Sequence, residues 1–97
     1  MIQSGTVYFD SGWNGWTLNN GNGPRTFVSP DISFQPPFGT PPIVVLALMG
    51  IDSHATTNVR VRVELAEAEN DEFNIAVHTW DDTIVHGVGV SWIAYDR

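Results

Sequence analysis

Residues Asn58–Leu65 read NVRVRVEL. Val59, Val61, Val63 and Leu65 fall on one parity, and Asn58, Arg60, Arg62 and Glu64 on the other. A period of two belongs to a strand with one face buried and one face wet, so this stretch predicts a strand. Toward the C-terminus, Phe73, Ile75, Val77 and Thr79 alternate with Asn74, Ala76, His78 and Trp80. Beyond the polar turn Asp81-Asp82-Thr83, the residues Val88, Val90, Trp92 and Ala94 again share a parity and are expected to point inward. Toward the N-terminus, Ile43–Ile51 is apolar on both faces, which predicts a central strand covered twice. Val28–Phe34 and Ile2–Phe9 complete the set. All six prolines lie between Pro24 and Pro42, where they mark edges and connections, because proline cannot donate to a ladder. No stretch carries the three-to-four spacing of a capped helix. The pattern predicts an all-β chain, a six-stranded antiparallel β-sandwich forming one domain over residues 1–97.

Composition narrows the partners. The chain of 97 residues contains no Lys, and its four Arg stand against eleven Asp and Glu, for a net charge of -7. A nucleic-acid backbone demands a basic stripe that displaces its counterions, and this chain has none, so no nucleic-acid partner is expected. The same deficit argues against anionic membrane surfaces. The longest apolar run, PPIVVLALMGI, is too short to span a bilayer, so no membrane insertion is expected. Without Cys there is no disulfide framework and no thiolate nucleophile or metal ligand. No charged n-region followed by an apolar h-region opens the chain, so no signal peptide is visible.

The outward parity raises a different question. Arg60 and Arg62 share it with His78 and Trp80 on the neighbouring predicted strand. An indole left in water leaves a large apolar area unburied, so this mixed face reads either as an oligomer contact or as a solvated sheet face with one incidental Trp. Trp92 reads as core. Trp13 and Trp16 flank Asn14-Gly15 in a long Gly- and Asn-rich loop, and one of them is expected to lid the sandwich.

The segments QSGTVYF, ISFQPPFGTPPIVVLALMGID, NVRVRVEL, FNIAVHTWDDT and GVGVSWIAYD follow one another in an order and spacing that resembles the H-type lectin domain of snail agglutinins and discoidins. The resemblance covers nearly the whole chain. It implies a sandwich that assembles as a trimer, in some members stacked into a hexamer. It implies an extracellular or secreted life, and it implies binding of N-acetylgalactosamine or galactose-type glycans between protomers with no metal or other cofactor. Arg60 matches the family's strand arginine and Trp80 its tryptophan. The position after the tryptophan is Asp81, and the later aromatic position is His86. Gly21, Asn22 and Gly23 occupy the loop that carries an acid in the family, and they bring no carboxylate. The family's cystine is also absent, with Phe9 and Val77 in its places. The resemblance implies that the arginine and the tryptophan come from neighbouring protomers. Around a threefold axis, three copies of His78 would be placed either as plain interface residues or around an ion.

A sugar ring offers C–H bonds on one face and hydroxyls at its rim. Trp80 suits the first as a plate, and Arg60 suits the second as a fork of donors. Asp81 is positioned in sequence to accept from a hydroxyl pair in place of the missing loop acid. Each residue also has a plainer reading: Arg60 as an ion-pair partner of Glu64, and Asp81 and Asp82 as a polar hairpin turn. As an enzyme the chain would need a paired acid and base, and Asp81 with His86 is the sole offer, without a third group. No calcium-loop or zinc spacing is present. The runner-up to a lectin is a structural oligomerisation module, such as the tip of a fibre.

Overall fold

The computed structural model describes residues 1–97, which form seven strands and no helix: β1 (Ile2–Asp10), β2 (Arg25–Val28), β3 (Ile32–Ser33), β4 (Ile43–Ser53), β5 (Arg62–Ala68), β6 (Glu72–Thr79) and β7 (Val85–Tyr95). β7 is the centre of a three-stranded antiparallel sheet in the order β1-β7-β4. β6 is the centre of the second sheet. β2 and β3 pair end to end along one edge of it, and β5 pairs along the other. The architecture is the expected all-β antiparallel sandwich with one strand more than expected: in place of a strand over Val28–Phe34, β2 ends at Val28 and a separate two-residue β3 follows at Ile32–Ser33.

The break has a chemical cause. Pro30 has no N–H to give, and the side chain of Ser29 takes over the pairing there. Ser29 Oγ accepts from the Ile75 amide at 2.9 Å, while Asn74 Nδ2 donates to Ser29 O at 3.0 Å and to Asp31 Oδ1 at 2.9 Å.

Between the sheets lies an aromatic core. Phe34 stacks on Phe73 with centroids 5.1 Å apart, and Trp92 meets Phe73 edge-on at 5.0 Å. Phe9, Phe27, Ile75, Val77, Val88 and Val90 extend the same cluster. The inward parity expected for Val88, Val90, Trp92 and Ala94 is what the structure shows. Trp16 is the lid, with its indole N–H donating to Val85 O at 3.0 Å, whereas Trp13 stays partly exposed and packs edge-on against Phe9.

Ile43–Ile51 is not central. β4 lies at the edge of its sheet, with β7 inside it. Val44 and Leu46 pack on the core, but Val45 is 52% exposed, and Leu48, Met49 and Ile51 are exposed as well. Leu48 and Ile51, opposite the inward Val90 and Val88, lie on the core side where it is left open at the edge, whereas Val45 and Met49 join Ile2, Tyr8, Ile93 and Tyr95 in an apolar outer face of the three-stranded sheet. The register sets these residues in rows: Ile2, Tyr95 and Ile43 in one, and Ser4, Ile93 and Val45 in the next. The outer face of the β6 sheet is different. There His78 Nε2 lies 2.6 Å from Glu64 Oε1, and its Nδ1 lies 2.8 Å from Thr26 Oγ1. Of the mixed face singled out from the sequence, Arg62 and His78 pair with Glu64, whereas Trp80 stays exposed.

NVRVRVEL is regular only in part. The ladder to β6 begins at Arg62, not Asn58, and a bulge between Leu65 and Glu67 shifts the register. Of the four apolar residues, Val61 and Val63 pack on the core, whereas Val59 and Leu65 are exposed.

Candidate functional site

What replaces the ladder ahead of Arg62 creates the most elaborated corner of the molecule. Thr79 Oγ1 donates to Arg60 O at 2.6 Å, and Thr83 Oγ1 donates to Asn58 O at 2.7 Å. Two threonine hydroxyls at the β6–β7 turn therefore satisfy carbonyls that no backbone amide reaches. Both threonines are buried. The segment 58–61 is drawn against the turn, and the Arg60 side chain follows it.

Arg60 Nη1 donates to Asp82 Oδ1 at 2.9 Å and to Thr83 Oγ1 at 3.0 Å, and its Nε lies 3.7 Å from Asp81 Oδ2. Its Nη2 makes no hydrogen bond within the chain. Arg60 does not pair with Glu64; Arg62 approaches that carboxylate instead, at 4.0 Å. A guanidinium fork therefore lies between two carboxylates with a donor still to give, a set of groups suited to hydroxyls that both donate and accept.

Trp80 opens the turn. It is 38% exposed where Trp92 is 8% exposed, so it is the tryptophan beside Arg60 that keeps a surface for a ligand. Its carbonyl accepts from the Thr83 amide at 3.4 Å. Between them Asp81 has a φ of 55°, the left-handed region that Asp tolerates better than most residues and that often marks a tight or functional turn.

The Gly-rich loop reaches the same corner. Gly21 and Gly23 both have positive φ, 75° and 83°, and the Gly23 amide donates to Asp81 O at 3.0 Å. Asn22 lies exposed between them. The structure thus brings together Arg60, Trp80, Asp81 and the Gly21–Gly23 loop within one chain.

His86 makes none of these bonds. Its ring stands 6.4 Å from that of His54, at the start of β7, and it shares no hydrogen bond with Asp81. A shallow concavity lies elsewhere, between β4 and β7, where Val45, Leu46, Ala47, Ser91, Trp92 and Ile93 line it. Three acidic side chains, Glu69, Asp71 and Glu72, gather at the β5–β6 turn, where partial burial first, and then the Asp31, Asp71 and Glu69 carboxylates, push the Glu72 carboxyl above its ordinary value.

Three residues of the corner escaped the sequence reading. Asp82 and Thr83 read as turn residues, because nothing in a single strand pattern shows which side chain a turn will receive. Arg25 follows the Gly-rich loop and gave no signal beyond being one of four arginines.

Comparison with known proteins gives this corner its context. Along 97% of the chain the fold superposes on discoidin II of Dictyostelium discoideum, in its recombinant native form with a TM-score of 0.83 and in its wild-type form with 0.82, each at 25% identity. The chain spans about a third of the length of those discoidin chains, 36% and 35% respectively. A protein of Fuscovulum blasticum called "ATP synthase subunits region ORF 7" is 30% identical over 92 residues, which is 95% of this chain and 79% of that one. Residues 29–95, from the Ser29 pairing through the whole of β7, match the model of the H-type lectin domain, and the chain belongs to that family.

Proposed function

We propose that the chain is a carbohydrate-binding lectin domain, one folded unit over residues 1–97, that takes galactose-type or N-acetylgalactosamine-containing glycans at the Arg60–Trp80–Asp81 corner. One observation carries the reading above all. On a chain of lectin lineage, a buried pair of threonines holds an arginine between two carboxylates beside a half-exposed tryptophan. In this mechanism the Trp80 plate takes the C–H face of the sugar, the free Arg60 donor reaches a ring hydroxyl, and Asp81 accepts from a second one. Gly21, Asn22 and Gly23 flank this corner, where small residues and a bare backbone leave room for the ring. No metal or other cofactor enters. The proposed role of these groups is binding and not catalysis.

Charge-assisted hydrogen bonds contribute about 1.5–3 kcal/mol each before the cost of ordering. Single sites are therefore weak, on the order of micromolar to millimolar in Kd. Useful avidity comes from several copies, a homotrimer or a stacked hexamer in an extracellular setting. The apolar outer face of β1-β7-β4 suits the contact between copies, and a neighbouring copy then supplies the remaining wall of a site between protomers, with His86 contributing from its side. The same apolar face is the observation that favours the second reading, a structural oligomerisation module without a ligand.

A glycan array on the native protein separates the two. Retention of galactose-type or N-acetylgalactosamine glycans, lost on Arg60→Ala and Trp80→Ala while the oligomer survives size exclusion, is the expected result. A blank array from a folded oligomer leaves the structural module.

A further inference from the structure

Asp81 sits between two arginines. Arg60 faces its carboxylate, and Arg25 holds its backbone. Arg25 Nη2 donates to Asp81 O at 2.8 Å, on the same oxygen that receives the Gly23 amide. The rest of the Arg25 guanidinium is spent on the Gly-rich loop. Its Nε donates to Gly23 O at 3.0 Å, and its Nη1 donates to Asn20 O at 2.6 Å and to Leu18 O at 3.4 Å.

Four carbonyls from two loops thus converge on one rigid fork, one of them, Asp81 O, 56 residues from Arg25 in sequence. The loop it holds is poorly able to hold itself. It contains two glycines at positive φ, a methyl group added at either would meet nothing within 4 Å, and no strand crosses it. A loop of this kind samples many conformations unless something outside it fixes the backbone. The turn it is fixed to carries Asp81 at an uncommon φ, which holds the carboxylate toward Arg60. Arg25 is not itself among the positions assigned to the sugar; it bonds two of them, Gly23 and Asp81, through their backbone carbonyls alone.

We infer that Arg25 is the positioning residue of the glycan site: it locks the Gly21–Gly23 loop to the Trp80–Thr83 turn, and saccharide affinity depends on that lock. The inference rests on the lectin reading of the corner. Lysine at this position keeps the charge but lacks the fork, so it cannot reach four carbonyls at once.

The test compares wild type, Arg25→Lys and Trp80→Ala on the full chain. It uses calorimetric titration with N-acetylgalactosamine or the best array ligand, together with amide exchange and nitrogen–proton shifts in the unliganded protein. For Arg25→Lys the expected result is a glycan affinity lower by about tenfold or more, since ordering of the loop falls to the ligand. Faster exchange at Gly23 and shifts confined to residues 18–25 and 80–83 accompany it, with the sheet amides unchanged. A purely structural role would instead spread the shifts through β2 and β6 and leave the affinity of the folded fraction intact. Arg25→Lys binding as tightly as wild type overturns the inference and leaves the site standing. If wild type binds no glycan while Trp80→Ala is folded, the lectin reading fails. Protection at Gly23 then still decides the clamp: unchanged protection in Arg25→Lys ends it.

Discussion

The two sheets of this protein are built from the same alternating pattern, yet their outer faces are opposites. Over β6 most of the outward residues are charged or polar and several satisfy each other, with His78 held between Glu64 and Thr26 and Val28 the apolar exception. Over β7 they are mainly Ile2, Tyr8, Val45, Ile93 and Tyr95, with the small polar Ser4, Thr6 and Ser91 among them. A face that satisfies itself is complete in one chain, whereas a contiguous apolar one is left for another surface to cover. Alternation therefore reports which residues leave the core but not whether they meet water. The corner at Arg60 lies at the end of the self-satisfied sheet, where the ladder gives way to threonine hydroxyls.

The largest effect that would break this contrast is on assembly. Val45→Asp with Ile93→Asp places two charges on the apolar face, where burying each unpaired costs several kcal/mol. With the proposed oligomer built on this face, sedimentation equilibrium should then show protomers where wild type shows the oligomer, with the protomer's β-sheet circular dichroism intact. An unchanged oligomer would mean that the apolar face is not the contact. Beneath the same face, Gly5 lies against Trp92, and a methyl there would come within 2.9 Å of the buried indole. Gly5→Ala is expected to lower stability by about 1–3 kcal/mol in urea titrations. A neutral effect would show that the indole has slack.

On the other sheet, Thr83→Val removes the hydroxyl that serves both Asn58 O and Arg60 Nη1. A loss of roughly 1–3 kcal/mol is expected, with weaker glycan binding alongside it, because two partners are left unsatisfied. Glu64→Gln, out on the paired polar face, should change stability by less than about 1 kcal/mol in the same assay, as exposed pairs do. A larger effect would mean that this face too is covered in the assembly.

The smallest effect is a pH dependence at Glu72. Its carboxyl is raised by partial burial and by its acidic neighbours, so the fold favours the neutral form. That stabilisation is present below the ordinary carboxylate range and is lost as pH rises through the raised value. Glu72→Gln should therefore melt slightly higher than wild type near pH 7, and the difference should close as the pH falls below the carboxylate range. A constant difference across pH would show that Glu72 carries no shift that matters.

Much of this was legible in the residues. The parity of Val88, Val90, Trp92 and Ala94 determined their burial, because a strand exposes alternate side chains to opposite sides whatever its neighbours are. The turn at Asp81-Asp82 and the loop at Gly21–Gly23 were readable from residue chemistry, and the order of the segments pointed to the lectin family. Tertiary structure decided which strand sits beside which, placing β4 at an edge although its composition reads as central. It also decided that Thr79 and Thr83 would stand in for a ladder and that Arg25 would close on carbonyls from both loops. These choices rest on hydrogen bonds between groups far apart in the chain, and a local period carries no information about partners it never contains.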